Sequence, residues 1–158
     1  MREILFRGKR TDNGNWVQGV PWEALNGSGW YLFQVAEIAG AERMIHVKVD
    51  SATIGQYTGL TDKNGKKIFE GDIVDLECGC DANEFWMFAY GNCGGVQNVT
   101  HEVGYMGFYL QPLSDNAIKA RDYGQRDDPY YYLNAFRLSV VGNIHDNPEM
   151  YISEDIKR

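Results

Sequence analysis

Three thiols and an imidazole open the chemical reading of this chain: Cys78-Gly79-Cys80, then Cys93 and His101. Thiolate and imidazole are the ligand types zinc prefers, and Asp81 or Glu84 could replace a nitrogen ligand. The spacing, however, is CxC and not the CxxC of a zinc knuckle. Three reduced thiols in a glycine-rich loop explain the same residues, and the sequence favours that reading, with no metal and no cofactor expected. The competing reading is a metal-dependent enzyme built on this loop. Bound metal together with turnover would mark it.

A second stretch, "QYTGLTDKNGKKIFEGDIVDL" (56–76), is dense in glycine and charge. Asp62, Asn64 and Gly65 hint at a calcium loop, which needs oxygen ligands at positions 1, 3, 5 and 12 and glycine at 6. With Asp62 at position 1, Lys66 falls at 5 and glycine at 4, and the loop holds three lysines. Gly59, Gly65 and Gly71 form no phosphate loop, since no GK[ST] follows. The stretch is therefore read as scaffold. Asn64-Gly65 makes a hairpin turn, and Glu70-Gly71-Asp72 leads into the strand 73–76, with Asp72 accepting local backbone hydrogen bonds.

Catalysis finds little support. A serine or cysteine nucleophile needs a base within reach and a group that orients it. Only His46, His101 and His145 are present, with no GxSxG or HExxH pattern. No enzyme is expected. The acidic run Glu70, Asp72, Asp75, Glu77, Asp81, Glu84 reads as a solvated face, and more sharply as a phosphate-mimicking surface for a nucleic-acid-binding protein. The net charge of −7 argues against non-specific binding of nucleic acid. The basic strand Arg2, Arg7, Lys9, Arg10 keeps a nucleic-acid-binding module as an alternative, although solvated charges on an amphipathic strand explain it better. Salt-sensitive retention on DNA or RNA would favour that module. Trp86, within the aromatic run 85–90, and Tyr130, Tyr131 and Tyr132 pair apolar area with polar tips, as assembly surfaces do. A small β core that cannot hide both clusters would bury them against a second copy. Burial inside a strand is the reading favoured for 85–90.

The elements that must position these residues are strands. Asn13-Gly14, Asn26-Gly27 and Asn64-Gly65 separate apolar segments and predict hairpins of type I′. Pro21 is expected to end its strand or lie on an edge. In "RMIHVKVD", Ile45, Val47 and Val49 share one face and His46, Lys48 and Asp50 the other. Further strands are expected over 72–76 and 136–144, and a strand pair over 96–111. Ser114 could cap a short helix over 115–121. The expectation is one domain over 1–158, mainly β: a partly open barrel or twisted antiparallel sheets with hairpin excursions and one or two short helices. No basic-then-apolar leader and no apolar run of membrane-spanning length is present. Three cysteines, an odd number, suit a reducing compartment, so a cytoplasmic location is expected.

Three segments together resemble the YopX family of phage and prophage proteins: "REILFRGKR" with its tryptophan-bearing return strand, "QYTGLTDKNGKKIFEGDIV" and "VVGNIHDNPEM". They occur in family order and span nearly the whole chain; residues 78–135 contribute nothing to the resemblance. The motif positions are Gln56, Tyr57, Thr58, Gly59, Leu60, Asn64, Gly65, Glu70, Gly71, Asp72, Gly142, Asn143 and Pro148, and the resemblance implies structural roles for them. It implies no catalytic residues. It implies a bacterial host's cytoplasm, self-association, and contact with a host or phage protein. The family's closing motif usually carries tyrosine and glutamate where His145 and Asp146 stand here, so no role passes to the His145 imidazole.

Overall fold

The computed structural model describes residues 3–76, 85–93, 105–113 and 138–150. Among the described residues ten strands run in chain order: β1 Phe6–Lys9, β2 Trp16–Glu23, β3 Trp30–Ile38, β4 Ala41–Val49, β5 Gly55–Thr61, β6 Lys67–Phe69, β7 Asp72–Leu76, β8 Phe85–Cys93, β9 Tyr105–Pro112 and β10 Leu138–Asn143. The only helical turns among the described residues are two 3₁₀ turns, Ser51–Thr53 and Pro148–Met150. The protein is thus mainly β, built as open antiparallel sheets and not as a closed barrel. The chain separates into two compact units, residues 1–59 and 60–158.

In the first unit the strand order is β4-β3-β2-β1-β5. Consecutive hairpins produce β4-β3-β2-β1, β5 returns to pair with the other side of β1, and each Asn-Gly sits at a turn as expected. The turn type differs. Gly14, Gly27 and Gly65 have φ of 73°, 73° and 79°, but among described non-glycine residues only Ala39 has positive φ. Type I′ needs positive φ at both central residues, so the asparagines do not form it. Asn13 and Asn26 instead accept the amides of Asn15 and Ser28 on their side-chain oxygens, both at 3.0 Å, which stabilises longer loops. Among the described residues the one two-residue turn with both φ positive is Ala39-Gly40, between β3 and β4, and no Asn-Gly marks it.

β2 does not end at Pro21. Its residues 16–19 pair with β1 and residues 20–23 pair with β3. Beyond Gly19 the β1 side of the strand is open, which is where a residue without an amide is tolerated. Gly19 itself lies so close to the Phe33 carbonyl that a Cβ would overlap the oxygen. On one face of this sheet Leu32 is fully buried and Val49 is nearly so.

The second unit carries the sheet β10-β7-β8-β9. Strand alternation divides its apolar residues between two clusters. Ile68, Val74, Phe88, Leu110 and Leu138 form one; Ile73, Met87 and Leu113 form the other. Neighbouring residues 73/74 and 87/88 therefore contribute to different clusters, and the run 85–90 is a core strand at Met87 and Phe88. Tyr90 is half exposed, edge-on to Phe108 at 5.2 Å. The expected strand pair over 96–111 is represented by β9; residues 94–104 and the expected helix at 115–121 lie outside the described residues. Among the described residues no helix is long and apolar enough to cross a membrane.

Candidate functional site

Residues 60–76 and 140–150 of the motif segments meet in the second unit, where backbone groups are their main partners; Gln56 to Gly59 belong to the first. The hairpin after β5 is a three-residue loop. Gly65 N donates to Asp62 O at 2.9 Å and Asp62 N to Lys66 O at 2.8 Å, with Gly65 in the left-handed region as a G1 bulge requires. Asp62 is buried, with 5% of its surface exposed. Its Oδ1 accepts from Asn64 N at 2.8 Å and Lys66 N at 2.9 Å, and its Oδ2 from Val140 N at 3.1 Å. Burial alone would push this carboxyl up. The amides of Val140, Lys66 and Asn64 outweigh it and hold the group below the usual carboxylate value. Lys63 N also donates to Leu138 O at 3.0 Å, so the turn is fastened to β10 at two points. β10 is bulged there: Val140 pairs with Val74 and Gly142 with Ile73.

The turn between β6 and β7 is closed in the same way. Asp72 is buried and accepts from Phe69 N at 2.8 Å. At Asp72 this departs from the solvated acidic face expected of the run, whose Glu77, Asp81 and Glu84 lie outside the described residues, and it fulfils the local bonding expected of Asp72. Gly71 N donates to Phe88 O at 2.7 Å, and Ile144 N to Gly71 O at 3.0 Å. Asn143 Oδ1 accepts the amides of His145 and Asp146, both at 2.9 Å. A Cβ at Gly142 would stand 2.5 Å from Asn147 Oδ1, which accepts from Asn143 N. Pro148 begins the final 3₁₀ turn. Of the remaining motif positions, Tyr57 and Thr58 are buried, Gln56 pairs with Phe6, Leu60 packs against the Ile68 cluster, and Glu70 stands in the turn before Gly71.

The other candidate residues are distributed differently. Cys78, Cys80, His101, Tyr130, Tyr131 and Tyr132 lie outside the described residues. Cys93 ends β8 opposite Tyr105, and Trp86 stands on β8 opposite Val74 and Pro112. No group of three or more His, Cys, Asp or Glu is placed to hold a metal among the described residues. The basic N-terminal strand is not a row of solvated charges, as expected, because Arg7 is buried with its guanidinium 4.4 Å above the Trp16 ring. Lys9 lies 5.6 Å from the same ring. Arg10 grips Asp12 through two hydrogen bonds, which raises the Arg10 pKa and lowers that of Asp12.

A surface that the sequence reading did not single out lies in the first unit. Cross-strand partners share a face, so β2, β3 and β4 bring Val20 beside Phe33, Trp22 beside Tyr31, Phe33 beside His46 and Val35 beside Met44. The rings form a continuous chain. Trp22 lies 5.7 Å from both Tyr31 and Phe33, and His46 lies 5.6 Å from Tyr31 and 6.3 Å from Phe33. Val20 is 55% exposed, Trp22 42%, Val35 68% and Met44 74%. With Tyr31 and Phe33 they present on the order of 400 Å² of side chain, a size at which a patch is often functional. The same strands bury Leu32 and Val49 on the opposite face, so the sheet keeps one face for its core and offers the other. The missed signal was His46 and Lys48, which read correctly as an outward face of β4. Only the register adds Phe33 and Tyr31 to that face.

A family model described as YopX protein matches residues 5–151. The chain belongs to the YopX family. Both the fastened turns and the exposed sheet face lie inside the span that matches the YopX model. A solved structure, the crystal structure of protein EF1440 from Enterococcus faecalis, is similar over 96% of this chain and 100% of its own, with 23% identity and a TM-score of 0.52. That likeness concerns the fold. Comparison with curated proteins found no match.

Proposed function

We propose that this YopX-family protein is a non-catalytic phage or prophage accessory protein that acts through protein–protein contact and assembles with itself. The observation that carries the reading is the exposed face of β2, β3 and β4. A contiguous apolar patch of this size is costly to leave in water and is ordinarily covered by another protein surface. Its composition, one tryptophan, one tyrosine, one phenylalanine and one methionine around a histidine, is that of an interface core. The buried Arg7 and the paired Arg10 weaken the alternative of a nucleic-acid module on the N-terminal strand. A bacterial cytoplasm is the setting this reading assumes.

Sedimentation velocity at micromolar concentration tests it. The parent is expected to sediment as a species heavier than the 18.0 kDa chain. Val35→Asp with Met44→Asp places two charges on exposed positions and is expected to give a folded monomer. A parent that stays monomeric over the whole range, or a double variant that assembles like the parent, overturns the proposal.

A further inference from the structure

The exposed face carries its own charge pattern, and that pattern selects one way for two copies to meet. Four cross-strand pairs succeed one another along the β3–β4 hairpin on this face: Tyr31 with Lys48, Phe33 with His46, Val35 with Met44, and Glu37 with Glu42. The base of the hairpin therefore bears a cation and a phenol, the middle is aromatic and aliphatic, and the tip bears two carboxylates side by side. Like charges directly opposite each other disfavour the isolated hairpin, so the tip gains from a cation brought to it. The first unit as a whole is neutral, with six basic and six acidic residues between 1 and 59. The segregation along this face is thus a local feature and does not reflect the net charge.

We propose that two copies pack these faces together about a two-fold axis lying between the sheets and running across the strands, so that the hairpins are antiparallel. The proposal rests on the reading of this face as a self-association surface. Rotation about that axis exchanges the ends of the hairpin and keeps each strand above its own copy. Lys48 then lies over Glu42 of the partner subunit and Tyr31 over Glu37 of the partner subunit. Between them, Phe33 and His46 meet Val35 and Met44 of the partner subunit. The contact is isologous and closes at two copies. The other two-fold arrangement, with the axis along the strands, stacks four carboxylates at one end, and like-charge juxtaposition at an interface is costly. An apolar centre of about 400 Å² per copy with a charged rim is close to half of the ~800 Å² per partner of a standard interface.

Charge reversal distinguishes the arrangement from mere stickiness of the face. Lys48→Glu, and separately Glu37→Lys with Glu42→Lys, are each expected to weaken self-association by at least about fivefold, because each sets like charges together twice per dimer. An equimolar mixture of the two proteins is expected to form a heterodimer with affinity close to the parent's, since both contacts between positions 48 and 42 again join opposite charges. All positions lie on the surface, and circular dichroism of each variant checks the fold. If the two charge variants associate as the parent does while Val35→Asp with Met44→Asp remains monomeric, the face stands and the antiparallel arrangement is wrong. If the mixture is no tighter than the separate variants, the arrangement is also wrong. A monomeric parent removes both this inference and the function proposed for the face. A monomeric parent whose Trp22→Ala variant loses binding to a single-stranded oligonucleotide would assign the face to nucleic acid instead.

Discussion

Replacing Asp62 by asparagine should separate the two motif segments at a single point. The carboxylate accepts two amides of its own turn on Oδ1 and the Val140 amide on Oδ2. Asparagine has almost the same shape. Its oxygen can keep the two local bonds, but its NH₂ then faces the Val140 N–H, donor against donor. A hydrogen bond to a charged group contributes roughly 1.5–3 kcal/mol, and a buried donor left without a partner costs roughly 1–3 kcal/mol. Asp62→Asn is therefore expected to cost about 2–4 kcal/mol, and Asp62→Ala somewhat more because the turn amides lose their acceptor as well. Urea unfolding gives the energy, and hydrogen exchange locates it: a loss of 2 kcal/mol accelerates exchange at the Val140 amide by roughly thirtyfold. The pH dependence supplies a second reading. The folded-state pKa of Asp62 is lowered, so its stabilisation is fully present above the unfolded value of about 3.9 and is lost as pH falls through the lower folded value. The gap between parent and Asp62→Asn should be constant near neutrality and close below about pH 4. If the variant unfolds within about 0.5 kcal/mol of the parent and protects Val140 equally, the link from turn to β10 carries no stability and the argument fails.

Two backbone positions give further tests. Ala39 occupies a left-handed conformation, φ 53°, in the turn that joins β3 to β4; Ala39→Asn makes that turn Asn-Gly and should stabilise the protein by about 0.5–1 kcal/mol, read as a higher urea midpoint at unchanged slope. An unchanged or lower midpoint would contradict the type I′ assignment. Gly65→Val places a β-branched residue at φ 79° and should cost at least about 2 kcal/mol by the same measurement; a variant as stable as the parent would show that the turn is not held in this geometry.

Local chemistry was enough to read several strands, among them 72–76 and the alternating 43–50, and three of the turns. Alternation in 43–50 put His46 and Lys48 on one face and Ile45, Val47 and Val49 on the other, because successive side chains point to opposite faces whatever the partner strand. Glycine after asparagine located three turns, since positive φ is a property of the residue itself. The turn type escaped, because it depends on loop length and on where the flanking strands pair. Asp72 was legible as a local acceptor three residues from Phe69. Asp62 was weighed only as a metal ligand, because its third partner, Val140, lies 78 positions along the chain. Tertiary structure alone decided that Arg7 is buried on Trp16 while Val35 and Met44 face water, against the ordinary preference of each residue type. The reason is register: one-residue alternation settles which residues share a face, but only pairing with β2 and β4 settles which face is covered.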